Sequence, residues 1–261
     1  NYSDATIKAY RKDVQWLFNE FSMQDFYNFP PFQEISEERV QKHLSLLSYS
    51  VQRRRVAGLS AFFSYLEEEE QVPCSISLPY PKKDNNAEHI PFVISKKKYQ
   101  EMRKVTFLHN TSRNLALLDI IYGSGLTTSS THSLDWINVN LEEKTLKGVA
   151  GYSRETPLSK ESQESLRKYS GENPGRNSNE PCFLNKYRKR ISDRSIKKII
   201  NIFGKRTGVK ANPSLLRWSF FTNMMNEGRD LDEMICLMGY EARYRNEYIS
   251  RMRKAYQRIK E

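Results

Sequence analysis

A polar stretch between Leu78 and Ile90 divides the chain into two halves, each of which must build its own core. The stretch contains two prolines, two adjacent lysines and two adjacent asparagines, a composition typical of linkers. With 261 residues in the chain, each half is long enough for a domain of ordinary size. We therefore predict a first domain over 1–80, a linker over 81–91 and a second domain over 92–261.

The first half carries apolar residues at helical spacing. One stripe begins the chain, a second spans 40–47 and a third spans 51–66, and the first stripe comprises Ile7, Tyr10, Val14, Leu17, Phe18 and Phe21. Ser36 precedes two glutamates, which indicates a helix N-cap followed by an acidic first turn. These patterns predict an all-helical first domain.

The second half mixes helices with a short strand region. Ser95 is an expected N-cap, and the strongly apolar segment 115–122 predicts a helix that stops at Gly123 and Gly125. The segment 139–158 alternates strand and turn residues. Further helices are expected at 160–169, 196–203, 215–225 and 231–238, and at the C-terminus from about Asn246. The helix around 196–203 is expected to begin at Ser192 or Asp193 and to end at Gly204. The second domain is thus predicted to be mostly helical with one small sheet.

The chain carries a net charge of +11, which favours a polyanionic partner such as nucleic acid over a purely solubilising surface. The basic residues are clustered in both halves, although each cluster also fits a solvated charged face. The candidate DNA-binding residues are Lys8, Arg11, Lys12, Arg53, Arg54, Arg55, Lys82, Lys83, Arg188, Lys189, Arg190, Arg194, Lys197, Lys198, Arg217, Arg243 and Arg245.

The three cysteines, Cys74, Cys182 and Cys236, are widely spaced, and no His or Cys stands at metal-ligand spacing. We therefore expect neither a structural metal nor a cofactor, and a reducing compartment. Because the sequence has no run of 18 apolar residues, we expect no membrane partner. Cytoplasmic, chromosome-associated localisation is the resulting expectation.

The order of short motifs resembles that of Xer-type and phage-integrase tyrosine recombinases. TIKAYRKDV at 6–14 and RRVAGLSAFFSYL at 54–66 resemble the core-binding domain of that family. Four segments of the second half resemble motifs of the family's catalytic domain: YGSGL at 122–126, LDWIN at 134–138, LLRWSF at 215–220 and LMGY at 237–240. The resemblance implies a mainly α protein: a helical, SAM-like core-binding domain, then a mostly helical catalytic-type domain with a small antiparallel sheet, together closing on duplex DNA.

The resemblance also implies a chemistry: a tyrosine attacks a DNA phosphodiester while two arginines hold the charged transition state. The first arginine position is occupied by Thr127. Ser130 occupies the position of the acidic residue that usually follows that arginine. The first histidine position is Ser214. Arg217 retains the second arginine.

The remaining catalytic positions also depart from the family pattern. Trp218 stands where histidine is common, and Tyr240 stands at the His/Trp position of the third motif. The nucleophile position is Ile249, with Tyr248 one residue and Tyr244 five residues earlier. One residue is a rotation of roughly 100° in a helix, so Tyr248 is expected to face away from the phosphate unless a bulge corrects it. The β-turn lysine position is Val149 or Tyr152, or Lys147 if the loop holds two extra residues.

These observations favour a DNA-binding protein that is defective in strand cleavage and acts as an architectural, regulatory or accessory factor. Two alternatives stay open: an active recombinase that uses Tyr248 or Tyr244, and a protein-interaction module on an inherited fold. The basic C-terminal helix is expected to bind a neighbouring subunit or a related recombinase, as the resemblance implies, or to pack on its own domain.

Overall fold

The fold was examined in a computed structural model, which describes residues 2–21, 35–70, 76–82, 93–109, 111–149, 155–172, 177–239 and 245–260. The chain forms two compact units, Asn1–Glu88 and His89–Glu261. The division falls inside the segment predicted as a linker. No helix in these ranges is long and apolar enough to cross a membrane.

The regular secondary structure of the first unit's described residues is helical, and residues 76–82 form neither helix nor strand. Its helices are α1 (Asp4–Glu20), α2 (Glu37–Ser45) and α3 (Tyr49–Glu68). Ser36 caps α2 as predicted, because its hydroxyl accepts a hydrogen bond from the Arg39 amide at 3.2 Å. Leu17, Val40 and Leu59 are fully buried in the core of this unit. Leu78, at the start of the polar stretch that follows α3, is also buried in that core.

The second unit contains most of the helices. They are α4 (Lys96–His109), α5 (Ser112–Ser124), α6 (Thr128–Ser133), α7 (Lys160–Gly171), α8 (Asp193–Arg206), α9 (Pro213–Asn226), α10 (Leu231–Leu237) and α11 (Arg245–Lys260). The predicted sheet has three short strands in antiparallel order, β1 (Val139–Asn140), β2 (Thr145–Leu146) and β3 (Thr156–Pro157). The mainly α architecture with a small antiparallel sheet is therefore confirmed.

Helix α5 is the centre of the second unit, and almost all of its side chains are buried. Its Asp119 carboxylate accepts a hydrogen bond from the Tyr99 hydroxyl at 2.7 Å and from Arg103 Nε at 3.0 Å, which attaches α4. Ser162 on α7 donates to the Asp119 carbonyl oxygen at 2.8 Å. Burial raises the pKa of Asp119 to about 6, against the opposing effect of Arg103. The centre of this unit thus holds a carboxyl group whose surroundings are fixed by three helices.

Two glycines behave differently from the expectation. Gly204 does not close α8 but lies inside it, where a Cβ atom would be 2.5 Å from the Ala211 Cβ and 2.6 Å from the Val209 carbonyl oxygen. Gly204 therefore allows a close approach of chain to helix rather than a helix end. Gly123 likewise lies within α5, and only Gly125 ends that helix, with a φ of 63°.

Candidate functional site

Three of the catalytic positions inferred from the family resemblance line one cavity of about 320 Å³. Thr127 is the N-cap of α6, Ser214 lies in the first turn of α9, and Arg217 follows one turn later. The other lining residues are Leu126, Thr128, Lys197, Asn201, Asn212 and Pro213. The fold thus brings together segments that lie about ninety residues apart in the chain.

The end of α5 delivers Thr127 to this cavity. Gly125 adopts the left-handed conformation, and its amide donates to the Ile121 carbonyl oxygen at 3.1 Å. A Cβ atom at Gly125 would lie 2.4 Å from the ring of Phe220 on α9. Leu126 is then fully buried, and α6 begins directly after Thr127. Only glycine satisfies both the positive φ and the contact with α9.

Thr127 is engaged in the structure of α6. Its Oγ1 accepts a hydrogen bond from the Ser130 amide at 3.0 Å and lies 2.7 Å from the Ser130 hydroxyl. The two residues that stand at the first-arginine and acidic positions therefore bond to each other. Together they form a neutral N-cap of α6.

Arg217 is anchored at the start of α9. Asn212 caps this helix by accepting from the Leu215 amide at 2.9 Å, and Pro213 occupies its first turn, an arrangement that fixes the helix start. The Arg217 side chain is half-buried and donates through Nη2 to the carbonyl oxygen of Met238. Its guanidinium therefore lines the cavity and also ties α9 to the end of α10.

The aromatic candidates lie in a different environment. Trp218 packs on the apolar cluster formed by α9 and α10 and contacts Phe221 edge to face at 5.9 Å. Ile249 of α11 packs on the same cluster. Tyr248 is half-buried, and neither it nor Trp218 is among the described residues that line the cavity. Tyr240 and Tyr244 lie outside the described residues.

The lysine candidate in the sheet region forms ion pairs. Lys147 Nζ lies 3.1 Å from Glu155 and 2.5 Å from Glu143. Hydrogen bonds to Glu143 and Glu155 raise the pKa of Lys147. A general acid must release its proton readily, and a raised pKa opposes that. Val149 is buried in the core, and Tyr152 lies outside the described residues.

The candidate cations of the first unit fall into two groups. Lys8, Arg11 and Lys12 share one exposed face of α1, and Arg53 is exposed on α3. Arg54 and Arg55 are instead used inside the unit. Arg54 Nη1 lies 2.6 Å from the Asp13 carboxylate, which is 1% exposed, and Arg55 lies 3.6 Å from the same carboxylate.

Asp13 was not anticipated as an ion-pair partner from the sequence. It lies within the apolar stripe of α1, and Arg55 also stacks over the ring of Trp16 at 4.0 Å. Burial raises the pKa of Asp13, whereas Arg54 and Arg55 lower it. The helical spacing places Asp13 next to inward-facing residues, but the partners on α3 become visible only in the fold.

The candidate cations of the second unit also divide into one that pairs with a carboxylate inside the unit and others that are exposed. Arg190 donates to the Asp135 carboxylate at 2.7 Å and to the His132 carbonyl oxygen at 3.0 Å, so its charge is used within the unit. Exposed side chains are those of Arg188, Lys189, Arg194, Lys197 and Lys198, and in the first unit that of Lys82. Arg245 is the first residue of α11. Lys83 and Arg243 lie outside the described residues.

The cavity is also lined by Asn201, Asn212 and Lys197, a role that the sequence pattern did not indicate. Asn212 followed by Pro213 is a recognisable helix start, and that signal was available. Lys197 was assigned only to a general basic cluster. Its place beside Thr127 depends on the packing of α8 against α6, which no local pattern reveals.

Comparison with known proteins identifies relatives of the second unit and of the whole chain. The model of the phage integrase family matches residues 93–248. The tyrosine recombinase XerC of Lacticaseibacillus casei (strain BL23) is 28% identical over 258 residues, which covers 92% of this chain and 85% of that protein.

Two solved structures share the fold at low sequence identity. The XerH site-specific recombinase bound to a palindromic difH substrate, a post-cleavage complex, has a TM-score of 0.74 at 17% identity and covers 97% of this chain and 77% of that one. The Tn1549 transposon integrase in complex with transposon right end DNA has a TM-score of 0.69 at 14% identity, covering 100% and 95%. At these identities the likeness concerns the fold alone.

Proposed function

Because this chain belongs to the phage integrase family, we propose that it binds duplex DNA without cleaving the strand and acts as an architectural, regulatory or accessory factor. The sequence match to a tyrosine recombinase over 92% of the chain supports a role on DNA. The proposal separates two properties that the family combines. Binding requires cations directed at phosphates, whereas cleavage requires the full set of catalytic groups.

The Thr127–Ser130 pair is the observation that carries the loss of cleavage. An arginine at position 127 would supply charge and two parallel donors to the transition state. Thr127 supplies one hydroxyl, and that hydroxyl is engaged with Ser130 at 2.7 Å as the cap of α6. The position has therefore acquired a structural role that is incompatible with holding a charged phosphate oxygen bidentately.

Other positions deepen the deficit. Ser214 is a poor substitute for an imidazole in proton transfer, and Lys147 is ion-paired with Glu143 and Glu155. Losing one preorganised donor costs about 10²–10³ in rate. Such losses are not additive, but several in one site leave no efficient route to cleavage.

The position of the nucleophile agrees with this proposal. Ile249, which stands at the expected nucleophile position, packs on the cluster of α9 and α10. Tyr248 is rotated from it by roughly 100° around α11. A tyrosine that attacks a phosphate must reach the same cavity as Arg217, and Tyr248 does not line that cavity among the described residues.

DNA binding is assigned to the exposed cations rather than to every basic residue. The proposed contacts exclude Arg54, Arg55 and Arg190, whose guanidiniums pair with Asp13 or Asp135. The proposed set is Lys8, Arg11, Lys12, Arg53, Lys82, Arg188, Lys189, Arg194, Lys197, Lys198 and Arg217. Lys83, Arg243 and Arg245 stay sequence-based candidates.

Only the family resemblance suggests that the C-terminal helix contacts a second subunit. Within the chain, α11 contacts α9 and α10, and Ile249 takes part in that packing. This contact favours packing of the helix on its own unit over exchange with a neighbour.

Two measurements test the proposal. Duplex affinity should fall steeply with salt, with a slope of about −0.9 for each phosphate contact. Incubation with a pool of suicide duplexes of randomised sequence should give no covalent adduct on denaturing gels, while a recombinase with the full catalytic set, run in parallel, should give one. An adduct that disappears in Tyr248→Phe would establish an active enzyme. Absence of salt-sensitive binding would favour the protein-interaction alternative.

A further inference from the structure

Lys197 lies in the same cavity as Thr127 and Arg217, although it comes from a different helix. Ile196, Ile200 and Phe203 anchor α8 in the core. Lys197 and Asn201 stand four residues apart and therefore share a face, and both line the cavity. The rigid attachment of α8 holds a lysine side chain opposite the position where the family places its first arginine.

The cavity has a strongly one-sided charge. Of the described residues that line it, Lys197 and Arg217 are cationic and none is acidic. Lys197 is exposed and forms no ion pair with any residue that the structure describes. Arg190, seven residues earlier, shows the opposite case, because Asp135 neutralises it at 2.7 Å. The start of α9, which also borders the cavity, adds a partial positive charge.

We propose that Lys197 and Arg217 together bind one backbone phosphate of the DNA duplex, with Lys197 supplying the positive charge that Thr127 does not. This inference rests on the proposed DNA binding and specifies where one contact is made. Asn212 and Ser214 border the same space. A cation contributed by α8 thereby replaces one that the family contributes from the segment after α5.

The exchange of arginine for lysine explains how binding persists where cleavage does not. A lysine ammonium is a compact point charge on a flexible stem, whereas a guanidinium presents a rigid fork that matches two phosphate oxygens. The lysine neutralises a ground-state phosphate well. It does not provide the fixed bidentate geometry that stabilises a pentacoordinate transition state.

A crystal soak with tungstate, a tetrahedral dianion, tests the site without DNA. Anomalous density is expected between Lys197 Nζ and the Arg217 guanidinium in the full chain, and it should be lost in Lys197→Ala but kept in Lys205→Ala, an exposed lysine on the same helix outside the cavity. No density in this cavity, or density that persists in Lys197→Ala, would overturn the assignment.

A double-mutant cycle tests it on DNA. Lys197→Gln should weaken duplex binding by about 10- to 150-fold, as loss of a charged hydrogen bond does, and Thr127→Arg should restore it. Lys198→Gln is the matched control, because Lys198 is exposed on the same helix but does not line the cavity. Thr127→Arg should therefore not rescue Lys198→Gln. If Thr127→Arg raised the duplex affinity equally in the wild type, in Lys197→Gln and in Lys198→Gln, that result would contradict a phosphate shared by positions 127 and 197.

Thr127→Ala separates the lost helix cap from the added charge. It removes the bond to the Ser130 amide without introducing a cation, so its effect on binding is subtracted from that of Thr127→Arg. The two proposals fail separately. If the wild-type chain shows no salt-sensitive duplex binding, the proposed function is wrong, while the tungstate result still decides whether Lys197 and Arg217 form an anion site.

Discussion

The guanidinium of Arg217 on α9 donates a hydrogen bond to the backbone carbonyl oxygen of Met238, the C-cap residue of α10. The same guanidinium lines the cavity assigned to a phosphate. One side chain therefore joins two helices and faces the proposed DNA contact. Its replacement is expected to affect both stability and binding.

Arg217→Ala should lower the free energy of unfolding by about 1–3 kcal/mol, because it leaves a carbonyl oxygen at the end of α10 without its charged donor. It should also weaken duplex binding. Urea unfolding and a salt titration of duplex affinity measure the two effects. A variant with unchanged stability and reduced affinity would show that the contact with Met238 contributes nothing to the fold. Lys210→Ala, an exposed change in the same unit, is the control for both assays.

Arg53 and Arg54 are neighbours in the chain and should behave oppositely. Arg54→Ala should destabilise the first unit by about 1–3 kcal/mol, since it removes the partner at 2.6 Å from the buried Asp13 carboxylate. Arg53→Ala should change stability by less than about 0.5 kcal/mol and reduce the salt slope of duplex binding by about one. Thermal unfolding and affinity measurements on both variants check this. Equal effects of the two substitutions on stability would contradict the assignment of Arg54 to the fold and of Arg53 to DNA.

Asp119 should make the stability of the second unit depend on pH. Its pKa is about 6 in the folded chain and about 4 in the unfolded chain, so the folded state binds the proton more tightly. The resulting stabilisation is present below pH about 4 and is lost as the pH rises through about 6, by on the order of 3 kcal/mol.

Urea unfolding at several pH values between about 4 and 7 measures this dependence. Asp119→Asn, which is neutral at every pH, should lack this component of the slope, although above pH about 6 it also removes the carboxylate that pairs with Arg103. If wild type and variant showed the same slope, the titration of Asp119 would not be its source.

Gly125→Ala should destabilise the second unit by about 2–5 kcal/mol, from the left-handed backbone and from the clash with Phe220 together. Gly208→Ala is the matched control, because its φ is 70° and a Cβ atom there would contact nothing within 4 Å. That change should cost only about 1–2 kcal/mol. Thermal unfolding of the pair isolates the steric part, and equal losses would show that the contact with Phe220 is relieved by movement of α9.

Local signals in the sequence predicted the element types well. Ser36 and Ser95 cap α2 and α4 as expected, and Gly125 ends α5. These predictions succeeded because capping depends on residues within one turn of each other. Gly204 was misassigned because its purpose is a contact with Ala211, and a glycine that permits close packing has the same local pattern as one that ends a helix.

The candidate site was predictable only in part. The motif order pointed to Thr127, Ser214 and Arg217, and the fold places all three in one cavity. The basic clusters were identified as units, but tertiary contacts divide them, since Asp13 engages Arg54 and Asp135 engages Arg190. Which charge is paired with a carboxylate depends on partners 41 and 55 residues away, which no local spacing rule predicts.

The cap formed by Thr127 has an evolutionary consequence. A single change of Thr127 to arginine removes the oxygen that accepts from the Ser130 amide, which costs about 1 kcal/mol of helix stability. The arginine would also meet Ser130 instead of an acidic partner, while the cavity already contains Lys197. If the chain has lost strand cleavage as proposed, restoring it takes several coordinated substitutions, and the one at position 127 first weakens the start of α6. The hydrogen bonds between Thr127 and Ser130 thus oppose the substitution of Thr127 by arginine.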